Sequence, residues 1–149
     1  MKHKLKISII GLGNMGIGIY KRLTEKGFSV YGYDKKISAV GLIPGYLAEN
    51  VDVILKTSDI ILFAVTSNKE ILSIVENKKI KKNSILIDLT TSNPKDTIKI
   101  NKKLFLENVF YYDAAMSGGA SGALNGTLTL MIGANEHDLK IAKKVLKAI

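Results

Sequence analysis

A short, mostly apolar run that breaks into three closely spaced glycines constrains the fold of this chain more than any other feature. The run covers residues 7–10, and Gly11, Gly13 and Gly16 follow in the pattern G-x-G-x-x-G. This pattern is typical of a strand, a tight turn and a helix start, in which the glycines permit the turn, let a pyrophosphate approach and let the helix pack closely. The first helical turn then offers N–H groups to phosphate. The residues expected to contact it are Gly11, Leu12, Gly13, Asn14, Met15 and Gly16.

An acidic residue follows the next predicted strand, residues 28–33, at Asp34. A carboxylate at the tip of the second strand, about 20 residues after the glycines, is suited to binding the ribose hydroxyls of a dinucleotide. The alternative is a carboxylate that caps its own loop. Lys35 and Lys36 follow directly and could attract a 2′-phosphate. The sequence therefore favours NAD and leaves NADP open.

Composition limits the other classes of function. The chain has 149 residues, 46% of them hydrophobic, which suits one well-buried domain over residues 1–149. It has no cysteine, and His3 and His137 lie far apart, so we expect no metal site. The net charge of +9 comes from scattered lysines, even around 78–82, and does not favour nucleic acid. No signal peptide or membrane span is indicated, so we expect a cytoplasmic protein with no membrane partner.

Strands and helices are predicted to alternate along the chain. Nearly continuous apolar runs at 59–65 and 84–89 are typical of parallel strands covered on both faces. Helix starts follow them, a capping box at Ser67–Glu70 and an Asn93–Pro94 pair. We therefore expect an α/β fold, a Rossmann-type, doubly wound, mostly parallel sheet in three layers. The other predicted elements are a helix ending at Gly27, a turn at Pro44–Gly45, a strand at Tyr46–Leu47, a helix at 50–57, strands at 108–112 and 127–132, a glycine-rich loop at 113–126 and a closing helix at 135–149.

Hydroxyl-bearing residues follow the two buried strands. Thr66 and Ser67 come after the first strand, and Thr90, Thr91 and Ser92 after the second. Because parallel strands end at one edge of a sheet, these hydroxyls could bond pyrophosphate, ribose or carboxamide, or could instead cap turns and helices. Thr91 is the strongest candidate because further hydroxyls flank it.

The glycine-rich segment contains a second candidate site at Ser117–Gly119. Backbone N–H groups exposed by small residues, beside a serine hydroxyl, can bind a carboxylate. A flexible linker or a tight turn is the alternative. No histidine lies near Ser117 in the sequence, which disfavours a serine hydrolase.

In their order and spacing, three motifs resemble those of the β-hydroxyacid dehydrogenase family, which includes 3-hydroxyisobutyrate, tartronate semialdehyde and 6-phosphogluconate dehydrogenases. They are Gly11–Gly16, Asp88–Pro94 and the segment 113–128. The resemblance implies that Ala64 and Val65 line the cofactor and that Thr91 lies near the nicotinamide ribose. It also implies that Ser117, Gly118 and Gly119 bind the carboxylate of a small hydroxy acid. Ala115 and Met116 depart from the proline and valine usual in the family.

The resemblance also implies a limit on what these residues do. The family's catalytic lysine and its asparagine lie in a helical second domain, after a G-x-G-x-x-x-K segment that this sequence lacks. We therefore expect no catalytic residue in the chain, Lys143 and Lys144 included, and a homo-oligomer only for a full-length form. The favoured function is the cofactor domain of an oxidoreductase that transfers hydride between NAD(P) and a small 3-hydroxy acid. A stand-alone, non-catalytic NAD(P)-binding module and an imine-reductase-like domain are the alternatives.

Overall fold

The computed structural model describes residues 4–36, 46–134 and 139–149. The predicted turn at Pro44–Gly45, the start of the predicted closing helix and both histidines lie outside these residues. In chain order the elements are β1 (Ile7–Ile10), α1 (Asn14–Glu25), β2 (Val30–Tyr33), β3 (Tyr46–Leu47), α2 (Val51–Thr57), β4 (Ile60–Phe63), α3 (Asn68–Val75), β5 (Ile85–Asp88), α4 (Pro94–Leu106), β6 (Phe110–Ser117), α5 (Gly119–Asn125), β7 (Thr129–Ile132) and α6 (Lys143–Leu146).

The strands of the described residues form one seven-stranded sheet in the order β3-β2-β1-β4-β5-β6-β7. Every neighbouring pair is parallel except the last, in which β7 runs antiparallel to β6. The strand order proceeds outward from β1 in both directions, so β1 and β4 flank the switch point of a doubly wound sheet. The parallel strands all end at the same edge, which confirms the predicted Rossmann-type fold.

Helices cover both faces of the sheet. Successive residues of β4 show this directly, because Ile60 and Leu62 pack with α1 and α6, whereas Ile61 and Phe63 pack with α2, α3 and α4. All four side chains are fully buried. A strand covered on both faces needs apolar side chains at consecutive positions, which explains the unbroken apolar run in the sequence. The three layers are therefore helix, sheet and helix.

The structure corrects the prediction of a long loop at 113–126. β6 continues to Ser117 because Ala114–Ser117 pair with β7, and α5 follows at once. Small residues let α5 lie close to α1, since a Cβ added at Gly18 would lie 2.9 Å from the Cβ of Ala123. Ala123 of this segment therefore serves helix packing.

The predicted closing helix is also too long. Within the described part of that segment, residues 139–142 form turns and only Lys143–Leu146 are α-helical. The short helix still buries Val145 and Leu146 against the sheet. None of the helices in the described ranges is both long enough and apolar enough to cross a membrane.

Candidate functional site

A cleft of about 770 Å³ opens at the carboxyl edge of the sheet, beside the turn that follows β1. Its walls come from that turn, the tip of β2, the residues after β4 and one side of α3. The predicted site residues that line the cleft are Gly11, Leu12, Gly13, Asn14, Met15, Asp34, Ala64, Val65 and Thr66. Gly16 is buried beneath the turn. Thr91 follows β5, and Ser117–Gly119 lie at the end of β6, all of them outside this lining.

The three glycines of the turn differ in what surrounds them. Gly11 has φ +93°, and a Cβ there would lie 2.5 Å from the carbonyl oxygen of Ala64. A Cβ at Gly16 would overlap the carbonyl oxygen of Gly11. A Cβ at Gly13, by contrast, would meet no protein atom within 4 Å. Gly11 and Gly16 are therefore required by the turn itself, whereas Gly13 leaves open space at the rim of the cleft.

The first turn of α1 is available to an anion. The helix begins after Gly13 without a side-chain cap, and its first turn contains no acidic residue. The N–H groups of such a turn and the helix dipole both favour negative charge. A pyrophosphate group therefore fits this end of the helix and the open side of Gly13.

Asp34 joins the tip of β2 to the glycine turn. Its Oδ2 accepts a hydrogen bond from the backbone N–H of Leu12 at 2.7 Å, and its Oδ1 accepts one from the N–H of Lys36 at 2.8 Å. The carboxylate thus has the loop-capping role that the sequence left open. Two carboxylate oxygens offer about four acceptor positions, so each still has room for a ribose hydroxyl.

Glu70 connects two walls of the cleft. Its Oε1 pairs with the Nζ of Lys35 at 2.7 Å, and its Oε2 accepts a hydrogen bond from the hydroxyl of Thr66 at 3.0 Å. The hydrogen bond from Lys35 lowers the pKa of the Glu70 carboxyl, and the same contact raises the pKa of the Lys35 amine. The predicted capping box is wrong, since Glu70 bonds Thr66 and the Ser67 side chain makes no capping bond.

A buried carboxylate organises the loop after β5. Asp88 Oδ1 accepts hydrogen bonds from the backbone N–H and the hydroxyl of Thr90, at 2.8 and 2.5 Å. Its Oδ2 accepts hydrogen bonds from the hydroxyls of Ser92 and Tyr111. Burial, with the adjacent Asp88 charge, raises the pKa of the Tyr111 phenol. Thr91 lies exposed between the two bonded residues, and its hydroxyl takes no part in this network.

The end of β6 presents a separate polar segment. Ser117 is exposed at the last position of the strand, and Gly118 and Gly119 follow with φ of +128° and +64°. Two consecutive positive φ values require glycine and turn the chain into α5. The segment lies at the same sheet edge as Thr91. The described residues contain no cluster of three or more His, Cys, Asp or Glu side chains that could hold a metal ion.

Residues 6–149 match the family model of the NAD-binding domain of 6-phosphogluconate dehydrogenase. The chain belongs to this family. Among its curated relatives, 2-(hydroxymethyl)glutarate dehydrogenase of Eubacterium barkeri is 33% identical over 158 residues, which cover 100% of this chain and 52% of the relative. Mitochondrial 3-hydroxyisobutyrate dehydrogenase of Mus musculus is 31% identical, over 100% of this chain and 47% of the relative. The NAD-binding domain thus spans about half the length of the curated relatives it matches.

A solved structure of an imine reductase from Pseudomonas sp. superimposes on the NAD-binding domain with a TM-score of 0.90. The match covers 99% of this chain and 53% of that chain, at 17% sequence identity. At this identity the likeness shows a shared fold. The same fold therefore occurs in enzymes named for reactions on hydroxy acids and on imines.

Two parts of the site were not predicted from the sequence. Glu70 was assigned to a helix cap, and Asp88 had no stated role. Asp88 does have a signal, because a carboxylate at the end of an otherwise apolar buried strand needs hydrogen-bond partners. The partner Tyr111 comes from a different strand, and the partner of Glu70, Lys35, comes from the other side of the cleft. Neither pairing has a local sequence pattern.

Proposed function

We propose that this domain holds NAD in the cleft as the cofactor half of an enzyme that transfers hydride between NAD(P) and a small 3-hydroxy acid. One observation supports this proposal most directly. The open side of Gly13, at the start of the uncapped helix α1, lies in the same cleft as Asp34. The turn and the first residues of α1 bind the pyrophosphate, and Asp34 binds the adenosine ribose. Bound NAD supplies the hydride acceptor.

The remaining predicted residues are assigned along the same sheet edge. Ala64, Val65 and Thr66 line the cofactor after β4, and Thr91 contacts the nicotinamide ribose after β5. The exposure of Thr91, beside two hydroxyls already bonded to Asp88, supports its role. The strand order β1-β4-β5-β6 places these tips in succession from the glycine turn outward.

The substrate carboxylate is assigned to Ser117, Gly118 and Gly119. Support comes from the exposed serine hydroxyl and from the two positive-φ glycines, which leave backbone groups uncovered. The curated relatives named above are dehydrogenases of acids whose hydroxyl lies on the carbon β to a carboxylate. A small 3-hydroxy acid is therefore the proposed partner, and nucleic acid and membranes are not.

We assign no catalytic residue to residues 1–149 and place the proton-transfer lysine in a separate helical domain. That domain would also mediate homo-oligomerisation of a full-length form. The absence of cysteine suits the reducing cytoplasm, which is the proposed location. If such a domain never accompanies the chain, the function reduces to that of a non-catalytic NAD(P)-binding module.

Fluorescence titration with NADH and with NADPH tests cofactor binding. We expect saturable binding of both with NADH the tighter ligand, and a linear response to both would contradict the proposal. The chain should then show negligible NADH formation from NAD⁺ and 3-hydroxyisobutyrate. Rapid turnover by residues 1–149 alone would contradict the assignment of the lysine to another domain. Reduction of a cyclic imine by a longer form, without hydroxy-acid oxidation, would favour the imine-reductase alternative.

A further inference from the structure

We propose that Glu70 strengthens the preference of this domain for NAD over NADP by engaging the ammonium group of Lys35. The inference rests on the proposed function, because it concerns the adenosine end of the same cleft. It explains how a sequence with two lysines directly after Asp34 can still disfavour a 2′-phosphate.

Lys35 is placed to meet a 2′-phosphate if one is present. It directly follows Asp34, the residue proposed to accept the ribose hydroxyls, and both residues line the cleft. In dinucleotide-binding folds a basic side chain near this position accommodates the 2′-phosphate of NADP. Lys35 by itself would therefore favour NADP.

Glu70 opposes this tendency because its carboxylate is held in place. Its Oε2 is anchored to the loop after β4 by the hydroxyl of Thr66 at 3.0 Å and by the backbone N–H of Thr66 at 3.4 Å. Its Oε1 is 2.7 Å from the Nζ of Lys35. The Glu70 side chain is 21% exposed and that of Lys35 is 67% exposed, so the anchored, less exposed carboxylate holds the more exposed ammonium group.

The charges that line the described part of the cleft sum to zero. They are those of Asp34, Lys35, Lys36 and Glu70. A 2′-phosphate would therefore enter a region without net positive charge and would lie near two carboxylates. Neutralising Glu70 leaves a net positive charge and frees Lys35. NAD has a hydroxyl at this position, so its affinity should respond far less.

The test compares NADH and NADPH affinities of the wild type, Glu70→Gln, Lys35→Met and the double variant by fluorescence titration. Glutamine keeps an acceptor for Thr66 while removing the charge. We expect Glu70→Gln to raise NADPH affinity relative to NADH roughly three- to tenfold, an effect that shrinks at high salt because these groups are partly exposed. The gain should disappear in the double variant.

Glu76→Gln is the matched control, since Glu76 is an exposed carboxylate at the other end of α3, outside the lining of the cleft. It should leave the ratio of the two affinities unchanged. Saturable NADH binding by the wild type with an unchanged ratio in Glu70→Gln would overturn this inference alone. A gain that persists without Lys35 would also overturn it. Binding of neither nucleotide by the wild type would overturn both this inference and the proposed function.

Discussion

Asp34 and Leu12 are joined by a hydrogen bond of 2.7 Å between the carboxylate Oδ2 and the backbone N–H. The bond ties the tip of β2 to the middle of the glycine turn, and a backbone bond from the N–H of Gly11 to the carbonyl of Tyr33 at 2.9 Å lies beside it. The residue proposed to bind the ribose thus also holds the turn proposed to bind the pyrophosphate.

Asp34→Ala should therefore weaken NADH binding by about tenfold or more, because it removes a charged acceptor for the ribose and a support of the turn. NADPH should lose less, since its 2′-phosphate does not need the carboxylate. Titration of both nucleotides measures the difference. Asp34→Asn, which keeps one acceptor oxygen, should give an intermediate loss, and equal losses for the two nucleotides would contradict the assigned role.

Gly13→Ala and Gly16→Ala should separate binding from folding. The methyl group at residue 13 enters open space, so stability should hardly change while NADH affinity falls by about tenfold or more as the methyl blocks the phosphate. The methyl group at residue 16 meets the carbonyl of Gly11, and the free energy of unfolding should fall by about 3 kcal/mol. Urea unfolding and NADH titration of both variants test this. A Gly13→Ala protein that binds NADH normally would count against a phosphate at this site.

Asp88→Asn should destabilise the domain by about 2–3 kcal/mol, because an amide NH₂ replaces an oxygen that accepts hydrogen bonds in a fully buried site. Tyr111→Phe removes one donor and leaves the carboxylate its others, so about 1 kcal/mol is expected. Urea unfolding of both variants gives the comparison. Equal stabilities of Asp88→Asn and wild type would show that the network does not support the fold.

Stability should also fall at high pH because of Tyr111. Its raised pKa means that the folded protein holds the phenol proton more tightly than the unfolded chain, whose pKa is near 10.0. The resulting stabilisation is complete below that value and is lost as pH rises above it. Between about pH 8 and about pH 11, wild type should lose about 1.4 kcal/mol more than Tyr111→Phe. Urea unfolding at both pH values tests this, and parallel losses would refute it.

Some elements were predicted well because their signals are local. The glycine spacing and the apolar runs of β4 and β5 identify strands and a turn from adjacent residues alone. Asn93 and Pro94 likewise predict a helix start, and the Asn93 side chain does accept a hydrogen bond from the N–H of Lys95 at 3.0 Å.

Other elements were predicted wrongly because distant residues decide them. Residues 114–117 lie in the segment predicted to be a loop, yet they form a strand because β7 supplies hydrogen-bond partners. Glu70 has the spacing at which its carboxylate could accept a hydrogen bond from the backbone N–H of Ser67. It binds the hydroxyl of Thr66 and the ammonium group of Lys35 instead.

The sequence by itself determined the doubly wound fold and the position of the glycine turn and Asp34, because periodicity and glycine spacing act over a few residues. The resemblance of three motifs, in their order along the chain, indicated the family. Only the tertiary structure decided which polar groups meet. It linked Asp34 to Leu12, Asp88 to Tyr111 and Glu70 to Lys35. These pairs form between separate elements, and their partners are chosen by strand order and helix packing.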